Sequence, residues 1–147
     1  MRAVVVGGAG FIGSNLVDKL ISLGWGVSII DNLSTGKEEN VNPKASLHTL
    51  DISDSSLIQH MEGIMRGSDY VFHFAASARV QPSIEDPVSF NDNNVTGTLN
   101  VLVASKNVGV KRFVYSASSS AYGDTEIFPT PETHPTNPMS PYGLQKM

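Results

Sequence analysis

The chain has 147 residues, of which 40% are hydrophobic and 16% are charged, a balance typical of one globular domain. Its formal net charge is −4 and its basic residues are scattered, which argues against nucleic acid as a partner. Cysteine is absent, which excludes disulfides and thiolate metal sites. No apolar run reaches the roughly 20 residues of a membrane span, and no signal-peptide pattern follows Met1. We therefore expect a cytoplasmic protein with no membrane partner.

Short apolar runs alternate with helical patterns over most of the chain. Arg2–Val6 is a β-branched run closed by glycine, which predicts a strand buried on both faces of a parallel sheet. From Phe11 to Leu23 the apolar residues recur at helical spacing, and Gly24 follows where a helix ends. Further strands are predicted at Val27–Ile30, Ser46–Leu50, Tyr70–Phe74 and within Val108–Tyr115.

Two more helices are predicted between these strands. Ser53 or Asp54 can cap the first of them, and the second covers the later half of Ile84–Lys106. The alternation implies right-handed crossovers, and so an α/β, Rossmann-like doubly wound parallel sheet of about five strands in the order 3-2-1-4-5. Five prolines from Pro129 to Pro141 exclude a long element there and predict a surface loop.

The segment "GGAGFIG", residues 7–13, has glycine at every third position and also contains the pattern G-x-G-x-x-G. Glycine permits the tight turn and leaves no Cβ between the main chain and a pyrophosphate. The amides at the start of the following helix then face the anion. Glycine turns are common, but this one lies between a predicted strand and a predicted helix. The segment therefore predicts a dinucleotide site.

Asp31 ends the second predicted strand, where the acid of a dinucleotide site accepts hydrogen bonds from the adenosine ribose hydroxyls. The same carboxylate repels a 2′-phosphate, and no arginine stands in the next five residues to attract one. The sequence therefore favours NAD over NADP. The alternative is a tight turn that carries a solvated acid.

Two segments after the fifth predicted strand carry hydroxyl and amine groups suited to proton transfer. "YSASSSAYG" spans Tyr115–Gly123, at the edge where a parallel sheet binds its ligands. "YGLQK" places Tyr142 and Lys146 four residues apart, on one face of a helix. A lysine ammonium beside a phenol stabilises the phenolate, the form that acts as a general base. The alternative for this common pattern is a surface tyrosine with a solvated lysine.

Seven segments together resemble the extended short-chain dehydrogenase/reductases, and among them the NAD-dependent epimerase/dehydratase family with its UDP-glucose 4-epimerases. They are "GGAGFIGS", "DNLSTGKEENV", "LDISD", "HFAASARVQPSIEDP", "NDNNVTGTLNVL", "YSASSSAYG" and "SPYGLQKM". The resemblance implies a NAD-binding Rossmann domain at residues 1–123, then a proline-rich loop and the start of the catalytic helix at residues 124–147. Because family members are longer, it also implies that a C-terminal substrate-binding part is absent.

The resemblance further implies roles for individual residues. The pyrophosphate would be held by Gly7, Gly10, Phe11, Ile12 and Gly13. Adenosine would be surrounded by Asp31, Asn32, Leu33, Ser34, Thr35 and Gly36 at the ribose, and by Asp51 and Ile52 at the adenine. The nicotinamide side would be lined by Phe74, Ala75, Ala76, Ser77, Ala78 and Asn93. The catalytic residues, which also contact the cofactor, would be Ser118 (with Ser119 and Ser120 as alternatives), the base Tyr142, and Lys146.

The implied reaction is 4-epimerisation of a UDP-sugar, with UDP-glucose and UDP-galactose as the leading pair, through transient oxidation at C4 without a metal. Family dehydratases have Asp-Glu after the catalytic hydroxyl, where this chain has Ser119 and Ser120. One common type of galactose epimerase has lysine where Ala78 stands, so N-acetyl and uronic-acid sugars stay open. The alternatives are a stand-alone NAD-binding module and a NAD-linked dehydratase, oxidase or decarboxylase.

Two further expectations concern association and histidine. An open apolar sheet edge and uncovered helix faces predict a homo-oligomer. His73 ends a predicted strand, and we expect it to be packed and hydrogen-bonded rather than catalytic. His48, His60 and His134 have no ligand spacing, which predicts that the chain has no metal site.

Overall fold

The computed structural model describes residues 1–147 and contains one five-stranded sheet in which all neighbouring strands are parallel. The strand order is β3-β2-β1-β4-β5. Sequence reasoning predicted this fold and this order, and both are confirmed. The strands are β1 (Arg2–Val6), β2 (Gly26–Asp31), β3 (Ser46–Thr49), β4 (Tyr70–His73) and β5 (Arg112–Tyr115).

Six α-helices accompany the sheet, and the longest has 12 residues. They are α1 (Phe11–Ser22), α2 (Ile58–Met65), α3 (Val80–Glu85), α4 (Pro87–Asn91), α5 (Gly97–Asn107) and α6 (Pro141–Gln145). Single 3₁₀ turns occur at Glu38–Asn40, Ser55–Leu57 and Ser119–Ala121, and a π-helical turn at Asp92–Thr96. A bilayer span needs a longer apolar helix than any of these.

The short helices α3 and α4 were not predicted, because five or six residues are too few to show a hydrophobic period. The start signals of α4 are nevertheless present. Asp86 caps α4 by accepting a hydrogen bond from the amide of Ser89 at 3.1 Å, and Pro87 occupies the first helical position.

The chain divides into two compact units. The sheet unit comprises Met1–Ala76 and Thr96–Ser116, and therefore holds all five strands together with α1, α2 and α5. The helical unit comprises Ser77–Val95 and Ala117–Met147, with α3, α4 and α6. The predicted dinucleotide residues up to Ala76 belong to the sheet unit, and the predicted catalytic residues belong to the helical unit.

The core of the sheet unit lies on both faces of the sheet, and β1 contributes to both. Val4 and Val6 pack against α2 and α5 on one face, whereas Ala3 and Val5 pack against α1 on the other. All four residues are at most 2% exposed. Burying a valine or isoleucine side chain contributes about 1.5–3 kcal/mol, so this core fixes the carboxyl ends of the strands, where the candidate site begins.

His73, at the end of β4, is packed and hydrogen-bonded as the sequence predicted. Its ring is fully buried, stacks on Tyr115 with centroids 5.7 Å apart, and has its Nε2 2.9 Å from the Thr98 hydroxyl.

Candidate functional site

The first glycine turn joins β1 to α1 and brings main-chain atoms too close together for side chains. Gly7 has φ +81°, and a Cβ at this position would lie 2.5 Å from the amide nitrogen of Ala75. A Cβ on Gly13 would collide with the carbonyl oxygen of Gly7 and lie 2.8 Å from the Cα of Gly8. Glycine is therefore required at both positions by the close packing of the turn on the start of α1.

The start of α1 has the features of an anion-binding helix terminus. Its N-cap, Gly10, supplies no side-chain hydrogen bond, and no acidic residue stands in the first turn. A Cβ on Gly10 would meet only the carbonyl oxygen of Gly7, at 3.4 Å, so the space above the turn is open. Phe11 and Ile12, which follow, are 84% and 60% exposed. The positive end of the helix dipole is therefore left for an outside anion, and a pyrophosphate fits this cradle.

The Asp31 carboxylate joins the glycine turn predicted to hold the pyrophosphate to the loop predicted to surround the adenosine ribose. Its Oδ2 accepts a hydrogen bond from the Ala9 amide and its Oδ1 one from the Leu33 amide, both at 2.9 Å. Leu33 has φ +58°, a strained conformation for a branched side chain, and this hydrogen bond helps to hold it. A carboxylate oxygen can accept two hydrogen bonds, so Asp31 keeps acceptor capacity for ribose hydroxyls.

The predicted adenine end is a small polar cluster after β2 and β3. The Asp51 carboxylate accepts hydrogen bonds from the Ser53 amide at 2.9 Å and the Ser53 hydroxyl at 2.7 Å, and contacts the Asn32 amide nitrogen at 3.5 Å. Burial raises the pKa of Asp51, but these hydrogen bonds outweigh burial and hold the pKa below its usual value. Asn100 of α5 donates to the Ile52 carbonyl at 2.8 Å, which fixes the loop to the buried face of this helix.

Other residues of the sheet unit that were predicted to contact the cofactor also lie in tightly packed turns. The amides of Phe74 and Ala75 both donate to the Val6 carbonyl, at 2.8 and 3.0 Å, so the end of β4 packs on the glycine turn. In the turn after β2, Ser34 donates to the Asn32 side chain, and a Cβ on Gly36 would lie 2.8 Å from Asp31 Oδ1.

In the helical unit, an asparagine that the sequence analysis passed over joins predicted cofactor residues to α6. Asn94 is 1% exposed, and its Oδ1 accepts a hydrogen bond from the Ser77 amide at 2.8 Å. Its Nδ2 donates to the Ser77 carbonyl and to Gln145 Oε1, both at 3.0 Å. The neighbouring Asn93 donates to the Ser77 hydroxyl at 2.9 Å, whereas Ala78 is exposed. The cofactor contacts of Ser77, Ala78 and Asn93 stay predictions.

Tyr142 and Lys146 stand one helical turn apart, as their spacing predicted. Ser140 is the N-cap of α6, and Pro141 occupies the first helical position. The amide of Lys146 donates to the carbonyl of Tyr142 at 3.1 Å. Tyr142 is partly buried, whereas Lys146 is only 4% exposed.

Ser118 and Lys146 line the same pocket, of about 390 Å³. Ser118 precedes the turn Ser119–Ala121 and caps it, because its Oγ accepts a hydrogen bond from the Ser120 amide at 3.2 Å. Tyr142 is not among the residues that line this pocket. The rest of the lining is Ala117, Ser119, Ala121, Tyr122, Thr136 and Met147.

Burial lowers the pKa of the Lys146 amine to about 8, because the ammonium is disfavoured where water is removed. At neutral pH the amine is still mainly protonated and can stabilise a nearby phenolate. An amine with a perturbed pKa that lines the same pocket as a serine is typical of a site of proton transfer.

Gly143, the third residue of α6, explains how the helix meets the turn that follows Ser118. A Cβ on Gly143 would lie 2.7 Å from the carbonyl oxygen of Ser120, so α6 and the turn Ser119–Ala121 approach backbone to backbone. The sequence analysis did not single out Gly143 or Ser83. The hydroxyl of Ser83 accepts a hydrogen bond from the Tyr142 amide. The Ser-Pro pair before Tyr142 is a helix-start signal that could have predicted the cap at Ser140.

Comparisons with known proteins show which family this chain belongs to. The model of the NAD dependent epimerase/dehydratase family matches residues 3–147. The UDP-glucose 4-epimerase of Lactobacillus helveticus is 41% identical over 149 residues, which cover 100% of this chain and 44% of that protein.

Two solved structures extend the comparison to the fold. The Thermotoga maritima UDP-glucose 4-epimerase with UDP-glucose superposes with a TM-score of 0.92 and is 45% identical, over 99% of this chain and 48% of that chain. The Thermus thermophilus UDP-glucose 4-epimerase complex with NAD gives a TM-score of 0.90 and 40% identity, over 99% and 47%. The chain spans about half the length of the relatives it matches. On the match over residues 3–147, the chain belongs to the NAD dependent epimerase/dehydratase family.

Proposed function

We propose that this chain belongs to a NAD-dependent UDP-sugar 4-epimerase that interconverts UDP-glucose and UDP-galactose by transient oxidation at C4. The observation that carries this proposal is the Tyr142–Lys146 pair on one turn of α6, with Lys146 buried on the same pocket as Ser118. A phenol, a buried amine and a serine hydroxyl are the groups that removal of a hydroxyl proton requires. The relatives named above, which carry UDP-glucose or NAD, support the choice of ligands.

We propose NAD as the cofactor, held by residues 1–123. The uncapped start of α1 would hold the pyrophosphate, and Asp31 would accept hydrogen bonds from the ribose hydroxyls. Because that carboxylate is buried and close to the ribose position, it would repel the 2′-phosphate of NADP. Asp51 and Ile52 would meet the adenine, and Phe74–Ala78 with Asn93 would line the nicotinamide side.

Proton transfer would be carried by residues of the helical unit. Tyr142 would take the proton of the sugar C4 hydroxyl, and Ser118 would hold the same oxygen by a hydrogen bond. Lys146 would stabilise the Tyr142 phenolate by its charge and hold the nicotinamide ribose. When bound, NAD would supply the acceptor of the C4 hydride and, for the opposite face of the sugar, its donor. Tyr142 would then return the proton to the C4 oxygen, which closes the cycle with no net redox change.

The test combines cofactor binding with turnover. Calorimetric titration is expected to show NAD bound and NADP bound at least about tenfold more weakly. Incubation of the NAD-loaded protein with UDP-galactose is expected to yield UDP-glucose, without the near-ultraviolet absorbance of accumulating NADH. NAD binding without any UDP-glucose would favour a non-catalytic module. Stoichiometric accumulation of NADH would favour an oxidase or decarboxylase, and equal binding of NADP would contradict the role of Asp31.

A further inference from the structure

We propose that Ser83 is a positioning residue that fixes Tyr142 through its backbone amide. Ser83 lies in α3 and is 0% exposed. Its Oγ donates to the Val80 carbonyl at 2.6 Å and accepts a hydrogen bond from the Tyr142 amide at 3.1 Å. The catalytic role of Tyr142 rests on the proposed function, whereas the anchoring contact does not.

The hydrogen bonds at the start of α6 explain why an outside residue is needed. The first helical residue, Pro141, has no N–H. The amide of Gly143 donates to the Ser140 hydroxyl at 3.0 Å, and the amide of Leu144 donates to the Ser140 carbonyl, also at 3.0 Å. The Tyr142 amide is therefore the one donor of this turn that α6 and its N-cap do not satisfy, and Ser83 accepts it.

The chemistry of Ser83 leaves no ambiguity about which group donates. Its single hydroxyl hydrogen is directed to the Val80 carbonyl, so a lone pair on Oγ faces the Tyr142 amide. The Val80 contact also fixes the serine rotamer, which makes the acceptor a rigid one. Ser83 and Tyr142 are 59 positions apart, so this contact ties α6 to a distant part of the chain.

A helix as short as α6 depends on such a contact. Five residues cannot form a stable helix by themselves, because the nucleation cost exceeds the gain from the few internal hydrogen bonds. Tyr142 is the residue whose amide is anchored, and proton transfer is sensitive to displacements of about 1 Å. Ser83 therefore acts on the reaction through the placement of the Tyr142 backbone, with no contact of its own to the substrate.

The test is amide hydrogen exchange, which does not require turnover. In NAD-loaded protein carrying Ser83→Ala, exchange of the Tyr142 amide is expected to accelerate by about tenfold or more relative to wild type. The matched control is Ser105→Ala, which removes a buried serine whose hydroxyl donates to the Val101 carbonyl in α5, at 2.7 Å. Exchange at Tyr142 should not change in that control. Ser83→Cys keeps a side chain of similar size but offers a weaker hydrogen-bond acceptor. Its exchange rate at Tyr142 should therefore lie between those of wild type and Ser83→Ala. This variant also provides the test if Ser83→Ala does not fold.

A second readout separates positioning from a purely structural role. With UDP-galactose, Ser83→Ala is expected to lower kcat by about tenfold or more while KM and the NAD Kd change little. Unchanged exchange at Tyr142 would overturn the anchoring, and faster exchange with unchanged kcat would overturn the positioning role. If wild-type protein binds NAD but forms no UDP-glucose, the proposed function fails, and the exchange result alone still decides whether Ser83 anchors Tyr142.

Discussion

The helices α1 and α6 start in opposite ways. At α1 the N-cap is a glycine without a side-chain hydrogen bond, the first turn has no acid, and the next two residues are exposed. At α6 a serine cap, a proline and Ser83 account for every early amide, and Lys146 beyond the helix is buried. The start of α1 has no side-chain cap, whereas two serine hydroxyls accept hydrogen bonds from backbone amides at the start of α6.

In the proposed function, this difference separates cofactor binding at α1 from proton transfer at α6. An anion is bound by main-chain amides, which need glycine and open space rather than reactive side chains. A general base is useful only when its side chain is fixed, which needs hydrogen bonds from several elements. Substitutions at α6 should therefore affect turnover, and substitutions at the α1 turn should affect cofactor affinity.

The largest effect is expected for Tyr142→Phe, which removes the phenol and leaves the α6 backbone unchanged. The rate of epimerisation should fall by about 10²- to 10⁴-fold, since general base catalysis is lost. The NAD Kd from calorimetry should change little, and this split between kcat and Kd would sharpen the contrast between the two helix termini. Tyr70→Phe is the control, because Tyr70 packs on Trp25 and Phe72 in the sheet unit. Full epimerase activity of Tyr142→Phe would exclude Tyr142 as the base.

Gly143→Ala tests whether the close approach of α6 to the serine turn matters. The new Cβ would lie 2.7 Å from the Ser120 carbonyl oxygen, so α6 or the turn must shift. A displacement of about 1 Å should lower kcat by about 10²-fold, although alanine favours helix more than glycine does. NAD affinity should stay near that of wild type. If kcat is retained, the backbone contact between Gly143 and Ser120 does not position the catalytic pair.

Gly10→Ala tests the α1 terminus in the same way. Its Cβ meets only the Gly7 carbonyl, at 3.4 Å, so the fold should tolerate it, but the methyl group would occupy the space above the turn. NAD affinity should fall by about tenfold or more by calorimetry, with the midpoint of thermal unfolding of the NAD-free protein nearly unchanged.

The control for Gly10→Ala is Gly63→Ala in α2, where a Cβ would meet nothing within 4 Å. That change should leave NAD binding alone and stabilise the protein by about 0.5–1 kcal/mol, since alanine is the better helix former. Equal losses of NAD affinity in both variants would contradict the assignment of the α1 turn as the pyrophosphate cradle.

Local patterns in the sequence were enough to predict the sheet. Short apolar runs predicted all five strands, and the alternation with helices predicted their parallel order. The errors occurred at the ends. β2 spans Gly26–Asp31, one residue more at each end than the predicted Val27–Ile30. The glycine turn and Asp31 were found because each lies within one short motif.

The contacts that hold α6 could not be predicted in this way. Ser83 bonds to a residue 59 positions away, and Asn94 to a residue 51 positions away. Hydrophobic periodicity does not report which polar groups meet across such separations, since their pairing is decided by tertiary packing. The resemblance to the family pointed to Asn93 for the cofactor, and no local pattern singled out Asn94, the buried residue that links Ser77 to Gln145.

Stability rather than turnover is expected to change at the far end of α6, where burial of Lys146 should make the free energy of unfolding depend on pH. The pKa of its amine is lowered to about 8 in the folded protein, against about 10.4 in an unfolded chain. Between these values the unfolded state binds more protons, so the free energy of unfolding gains a contribution that grows from about pH 8 to about pH 10.4. Lys146→Met should lack this rise in urea denaturation of the NAD-free protein, whereas Lys106→Met, at an exposed lysine of α5, should keep it. Parallel pH profiles for wild type and Lys146→Met would mean that the Lys146 amine is solvated in the folded state. The end of α6 would then be as open to solvent as the exposed first residues of α1.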